Sequence, residues 1–183
     1  DKGLGADLAD ALAAAGHRVV CVRPGDAFGR DGEGGYLLSP ERGREGYDLL
    51  VADLDERGLV PTRIAHLWLV TRDQGHRPGS SFFHRVQEQG FYSLFFLAQA
   101  MSAADWPEVS ICVFSNGAAA VNEEALAFPE KATMQGPVRV IPREFAGTRC
   151  KLVDVASPLA AKGQQRAHLR DLMLEELMAE PSD

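Results

Sequence analysis

The chain predicts a doubly wound α/β fold, a parallel sheet with helices on both faces, and three observations carry that reading. Short continuous apolar runs recur, of the kind that strands need when both of their faces are buried. Longer stretches with helical spacing of apolar residues lie between them. The two kinds of segment alternate, which implies right-handed crossovers between parallel neighbours.

Residues 3–16 place Leu4, Leu8 and Leu12 on one face of a helix that stops at Gly16. Residues 17–23 (HRVVCVR) read as the first buried strand. Residues 24–40, rich in Gly and Asp, read as a mostly exposed connection with a brief strand at 35–39. A helix follows over 41–58, its inward stripe made by Leu49, Leu50 and Leu54, and Gly58 and Pro61 end it. Residues 63–71 give the second strand and 72–81 (RDQGHRPGSS) a polar loop. Over 82–104 the aromatic residues cover much of a long helix's circumference, the pattern of a helix sandwiched between two layers. The third strand spans 109–115, and a loop spans 116–128. A helix over 129–145 carries Pro129 in its first turn. A fourth strand at 150–155 and a helix over 157–179 close the chain. The expected architecture is one Rossmann-like domain over residues 1–183. Because the chain opens directly on a helix, the strand that should precede it is expected to be missing.

Composition narrows the function. At 183 residues and 19.8 kDa the chain can bury its own core, and 45% apolar with 25% charged residues excludes a disordered or fibrous protein. A net charge of -7, with basic residues scattered singly, excludes a nucleic-acid partner, because phosphate contacts need clustered Lys and Arg. Glu175, Glu176 and Glu180 fit the solvated face of the last helix. Cys21, Cys112 and Cys150 each sit inside an apolar run, as small hydrophobes of a reduced, intracellular protein. No stretch approaches the ~20 apolar residues of a membrane span, and the start lacks a secretion signal, so no membrane contact and a cytoplasmic location are expected.

The fold invites a search for dehydrogenase chemistry. A nucleotide-binding turn carries GxGxxG, whose glycines let the backbone approach a pyrophosphate at the helix N-terminus. Here Gly3 and Gly5 are present, Leu8 stands in the third position, and Asp7 adds negative charge, so Gly3 and Gly5 read as a vestigial turn and not as a cofactor site. A short-chain reductase also needs a Tyr whose proton is managed by a Lys four residues on. Tyr36, Tyr47 and Tyr92 are followed at that distance by Pro40, Val51 and Phe96, so no such pair exists. Ser115 and Asn116 stand at the end of the third strand, where functional groups gather, but have no proton to manage. Lys131, behind Pro129 and Glu130, reads as an exposed charge at a helix start. His66 reads as a hydrogen-bonded core histidine, and the other four histidines are scattered. The absence of HExxH and CxxC argues against a metal, and that of GxxxxGK[ST] and GxSxG against a phosphate loop or hydrolase elbow.

Five segments occur in order: 1–5 (DKGLG), 63–68 (RIAHLW), 91–97 (FYSLFFL), 113–117 (VFSNG) and 129–144 (PEKATMQGPVRVIPRE). As a set they resemble the structural subdomain of ketoreductase domains from type I polyketide synthases. That resemblance implies a pseudo-short-chain-dehydrogenase unit with no catalytic residue and no cofactor of its own. NADPH and the reduction of the β-ketoacyl thioester would belong to an adjoining catalytic subdomain, and an acyl carrier protein would be met only indirectly. It also implies a fragment truncated at its end as well as its start. Phe91, Phe95 and Phe96 on the long helix and Pro129, Pro137 and Pro142 beyond it are the candidates for interdomain packing. Two alternatives stand beside this reading. One is a divergent reductase that binds NADPH at Gly3 and Gly5 and uses Ser115 or Lys131. The other is an interaction domain that meets a carrier protein through the loop at 72–81.

Overall fold

Helices cover both faces of a parallel sheet, the α/β class that the alternating pattern predicts. A computed structural model describes residues 3–71, 80–119, 126–155 and 163–179. Most of the loop expected at 72–81 lies outside the described residues, as do 120–125 of the loop at 116–128, the start of the last helix at 157–162, and Glu180.

The elements are α1 (Gly3–Ala14), β1 (Val22–Pro24), β2 (Gly29–Arg30), β3 (Tyr36–Leu38), α2 (Glu45–Glu56) and β4 (Arg63–Leu69). They continue as α3 (Ser80–Val86), α4 (Ser93–Ala103), β5 (Val109–Ser115), α5 (Gln135–Glu144), β6 (Thr148–Asp154) and α6 (Gln164–Met178). The parallel sheet runs β4-β5-β6, with Ile64 opposite Ile111 and Cys112 opposite Lys151. Its central strand shows why a continuous apolar run was required. Side chains alternate across a strand, so Ile111 and Val113 enter one core while Cys112 and Phe114 enter the other. The first core takes Leu94, Ala98 and Met101 of α4 and Val138 and Ile141 of α5. The second takes Leu8 of α1 and Met173 and Leu177 of α6.

Several boundaries differ from the sequence expectation. The run at 17–23 supplies only Val22–Pro24 as strand, and it joins a separate small sheet of order β1-β3-β2 and not the main one. Its ends are charged and exposed: Arg18 donates to the Gly58 carbonyl, and Arg23 reaches Asp31 and Glu33. Only Val20 and Val22 pack on the core, so the run cannot be covered on both faces. The small sheet is clamped onto α2, where Arg30 and the Tyr36 hydroxyl hold the Asp53 carboxyl down to about 2.

Leu49 is 47% exposed, not inward. Tyr47, Leu50, Val51 and Leu54 are buried at spacing 0, 3, 4, 7, and that phase sends Leu49 to the opposite side. The single helix expected over 82–104 is α3, a π-helical segment at Gln87–Tyr92, and α4. Within the π segment Gly90 lies so close to the core that a Cβ there would meet Met134 Sδ at 2.7 Å and Leu69 at 3.0 Å. The helix expected over 129–145 begins instead as a 3₁₀ helix, Pro129–Met134, before α5.

Candidate functional site

An open α/β sheet offers ligands the crevice outside the carboxyl ends of its strands. In this chain those ends are Thr71 just beyond β4, Ser115 and Asn116 at the end of β5, and Asp154 at the end of β6. The Asn116 amide bridges Thr71, accepting from its backbone N–H at 2.8 Å and donating to its carbonyl at 3.1 Å. The Asp154 carboxylate accepts from the N–H groups of Ala118 and Ala119 at 3.1 to 3.2 Å. Gly117, at φ 67°, bends the chain so that those two amides point at one anion.

Lys131 is the centre of this arrangement, and it is fully buried, contrary to the exposed charge expected of it. Its Nζ donates to Thr71 Oγ1 at 2.8 Å and to the carbonyl and Oδ1 of Asn116 at 2.9 Å each. The Phe128 ring lies beneath the ammonium at 4.3 Å. Burial pushes the amine down to about 8, against the pull of the Asp154 and Glu130 carboxylates. The reason for the correction is local geometry. A 3₁₀ helix has three residues per turn, so Phe128, Lys131 and Met134 stack on one inward side. Read with α-helical spacing, the same residues fan out. The run of apolar, basic and apolar residues three apart was the available signal.

Ser115 is also fully buried, and its Oγ has no hydrogen-bond partner among the described residues. No tyrosine belongs to this cluster: Tyr36 and Tyr47 serve the core, and Tyr92 is exposed on the helical layer. Asp154 and Thr71 were missed by sequence reasoning, because no local motif marks two strand ends that meet only in space.

At the turn that carries Gly3 and Gly5 the position of a third glycine is taken by a packed side chain. Leu8, in place of the third glycine, is buried against Cys112, Phe114 and Met173. Asp7 is paired with Arg166 at 2.5 Å, and a Cβ on Gly5 would meet Leu67 at 3.3 Å. The close passage between helix and strand is filled by side chains.

His66 is a core histidine, its Nε2 3.0 Å from Ser93 Oγ, and burial pushes it down to about 4. The three cysteines are free, and burial pushes the thiols of Cys112 and Cys150 up to about 12, away from reactivity. Among the described residues no group of three or more His, Cys, Asp or Glu is placed to hold a metal, and no helix is long and apolar enough to cross a membrane.

The packing candidates divide. Phe95 is 40% exposed and Phe91 and Phe96 are half-buried, with Tyr92 and Phe83 exposed beside them. Phe96 stacks on Tyr92 at 6.0 Å and meets Tyr47 of α2 at 5.9 Å, tying the aromatic row to the core. Pro129 and Pro142 are exposed. Pro137 is buried inside α5's core face and belongs to the interior, because it shares that face with Val138 and Ile141.

The family model described as beta-ketoacyl synthase-like, N-terminal, matches residues 5–176. Among solved structures the chain is similar to the adenylation, ketoreductase and pseudo Asub multidomain structure of a keto acid-selecting NRPS module. There the identity is 27% and the TM-score 0.79, over 93% of this chain and 14% of that one. It is similar to an N-terminal ketoreductase from the macrolactin assembly line at 18% identity and TM-score 0.76, over 98% of this chain and 35% of that one. A short-chain dehydrogenase from Streptomyces avermitilis matches at 15% identity and TM-score 0.61, over 99% of this chain and 82% of that one. The last two likenesses are likenesses of fold. The chain spans only 14% and 35% of the lengths of the first two. No curated protein matches it.

Proposed function

Since the chain belongs to the beta-ketoacyl synthase-like, N-terminal family, we propose that it is a non-catalytic structural subdomain of a modular synthase. It braces an NADPH-dependent β-ketoacyl reductase. The two similar structures named as ketoreductases support that context. The observation that carries the role is α4. Leu94, Ala98, Ala100 and Met101 are buried in the core and Phe96 and Leu97 are partly covered, while the side that carries Phe95 is open, with Gln99 and Ser102 beside it. Phe95, with Tyr92 before it, faces outward. The exposed aromatic row of Phe83, Tyr92 and Phe95 suits a second layer, and the catalytic subdomain supplies it.

In this reading NADPH and the reacting thioester stay in the catalytic subdomain, and the acyl carrier protein meets that subdomain and not this one. The reading in which this chain binds NADPH itself is disfavoured by Leu8 and by the Asp7–Arg166 pair. The loop at 72–81, on which a carrier-protein reading depends, lies for the most part outside the described residues.

The test is a charge placed on the aromatic face of an intact ketoreductase. Phe95→Asp with Tyr92→Asp is expected to lower NADPH-dependent reduction about tenfold or more, as loss of an aromatic anchor does at an interface. Reduction at the wild-type rate would refute the bracing role.

A further inference from the structure

The polar groups at the carboxyl ends of the strands, Ser115 Oγ apart, are met by the chain's own groups. An ammonium has three N–H bonds, and the three acceptors around Lys131 stand at 2.8, 2.9 and 2.9 Å, with the Phe128 ring beneath. The Asn116 amide meets both backbone groups of Thr71, the pair of bonds that a neighbouring strand would make, and so fastens the end of β4 to the end of β5. Successive amides turned toward one point form an anion site, and at Ala118 and Ala119 the anion is the protein's own Asp154. Apart from Ser115 Oγ, the polar groups that would greet a ligand in a binding relative are already paired inside the molecule.

We propose that Lys131, Asn116, Thr71 and Asp154 form an internal plug that closes the floor of this crevice and keeps the sheet from taking up an anionic ligand. The plug deepens the non-catalytic reading by giving its physical cause, but it rests on the strand ends alone, while the bracing role rests on the outer helices. Loss of association on Phe95→Asp would leave the plug untouched, and failure of the plug would leave the aromatic face untouched.

The experiment uses the whole chain, with amide exchange and chemical shifts followed by NMR. In Asp154→Ala the Ala118 and Ala119 amides are expected to exchange about 10- to 100-fold faster, the loss of a hydrogen bond to a charged group. Inorganic phosphate is expected to shift those amides in the variant and not in the wild type, and NADPH to shift them in neither. Asp154→Leu, which keeps the side chain's volume but has no acceptor, carries the exchange test if the alanine variant does not fold. Exchange at the wild-type rate in the folded variant, phosphate that shifts neither chain, or NADPH that shifts the wild type would each overturn the proposal.

Discussion

Two regions of this molecule bury and expose the wrong groups by ordinary rules, in opposite senses. At the strand ends a lysine, a serine and an asparagine are sealed from water. On the outer helical layer Phe83, Tyr92 and Phe95 stand in it. Buried polar groups persist when each finds a partner, and exposed aromatic groups persist when a partner surface covers them. The first region is therefore, Ser115 Oγ apart, paired within the chain, and the second is covered only in the assembly proposed above.

Breaking the sealed region should cost the most. Lys131→Met leaves the oxygens of Thr71 and Asn116 without their donor and is expected to lower stability by about 3 kcal/mol, as stranded buried acceptors do. Chemical denaturation measures the loss. The same variant isolates the amine's titration. Burial holds Lys131 at about 8 against an ordinary 10.5, so between those values the unfolded chain binds the proton that the folded chain releases. Wild type should gain stability relative to Lys131→Met as pH rises through that window. A flat difference would mean that the ammonium is not desolvated.

His66 extends the test to acid. Its value is held at about 4 against an ordinary 6.5, so as pH falls between them the unfolded chain takes up a proton first, and stability drops by up to about 3 kcal/mol. Melting temperatures of wild type and His66→Gln across that range should converge in acid.

Gly90 ties the sealed region to the aromatic row, since Met134 and Leu69 press on it from the core. Gly90→Ala is expected to cost about 1–3 kcal/mol through overpacking, read from denaturation midpoints. The smallest effect falls on the open region: Phe95→Asp in this chain alone should change stability by less than about 0.5 kcal/mol. A large loss there would place Phe95 in the core and remove the basis of the bracing role.

Strands β4 and β5 were legible because each is a mostly apolar run, as a strand with two covered faces requires, whereas β6, with Arg149 and Lys151 inside it, offered only a short one. The run at 17–23 has the same look but was misplaced, because its flanking arginines matter only once a neighbour offers them Gly58, Asp31 and Glu33. The site was legible as a set of absences: no third glycine at Leu8, no lysine four residues after any tyrosine. What fills the crevice floor was not, since Thr71, Asn116, Lys131 and Asp154 lie on four separate segments.

By itself the sequence determined the class of fold and the lack of a reductase's catalytic pair, because periodicity and motif spacing are local properties of the chain. Tertiary structure alone decided that Lys131 is inside and Phe95 outside. The first depends on a three-residue turn meeting two strand ends. The second depends on which side of α4 the core happens to cover.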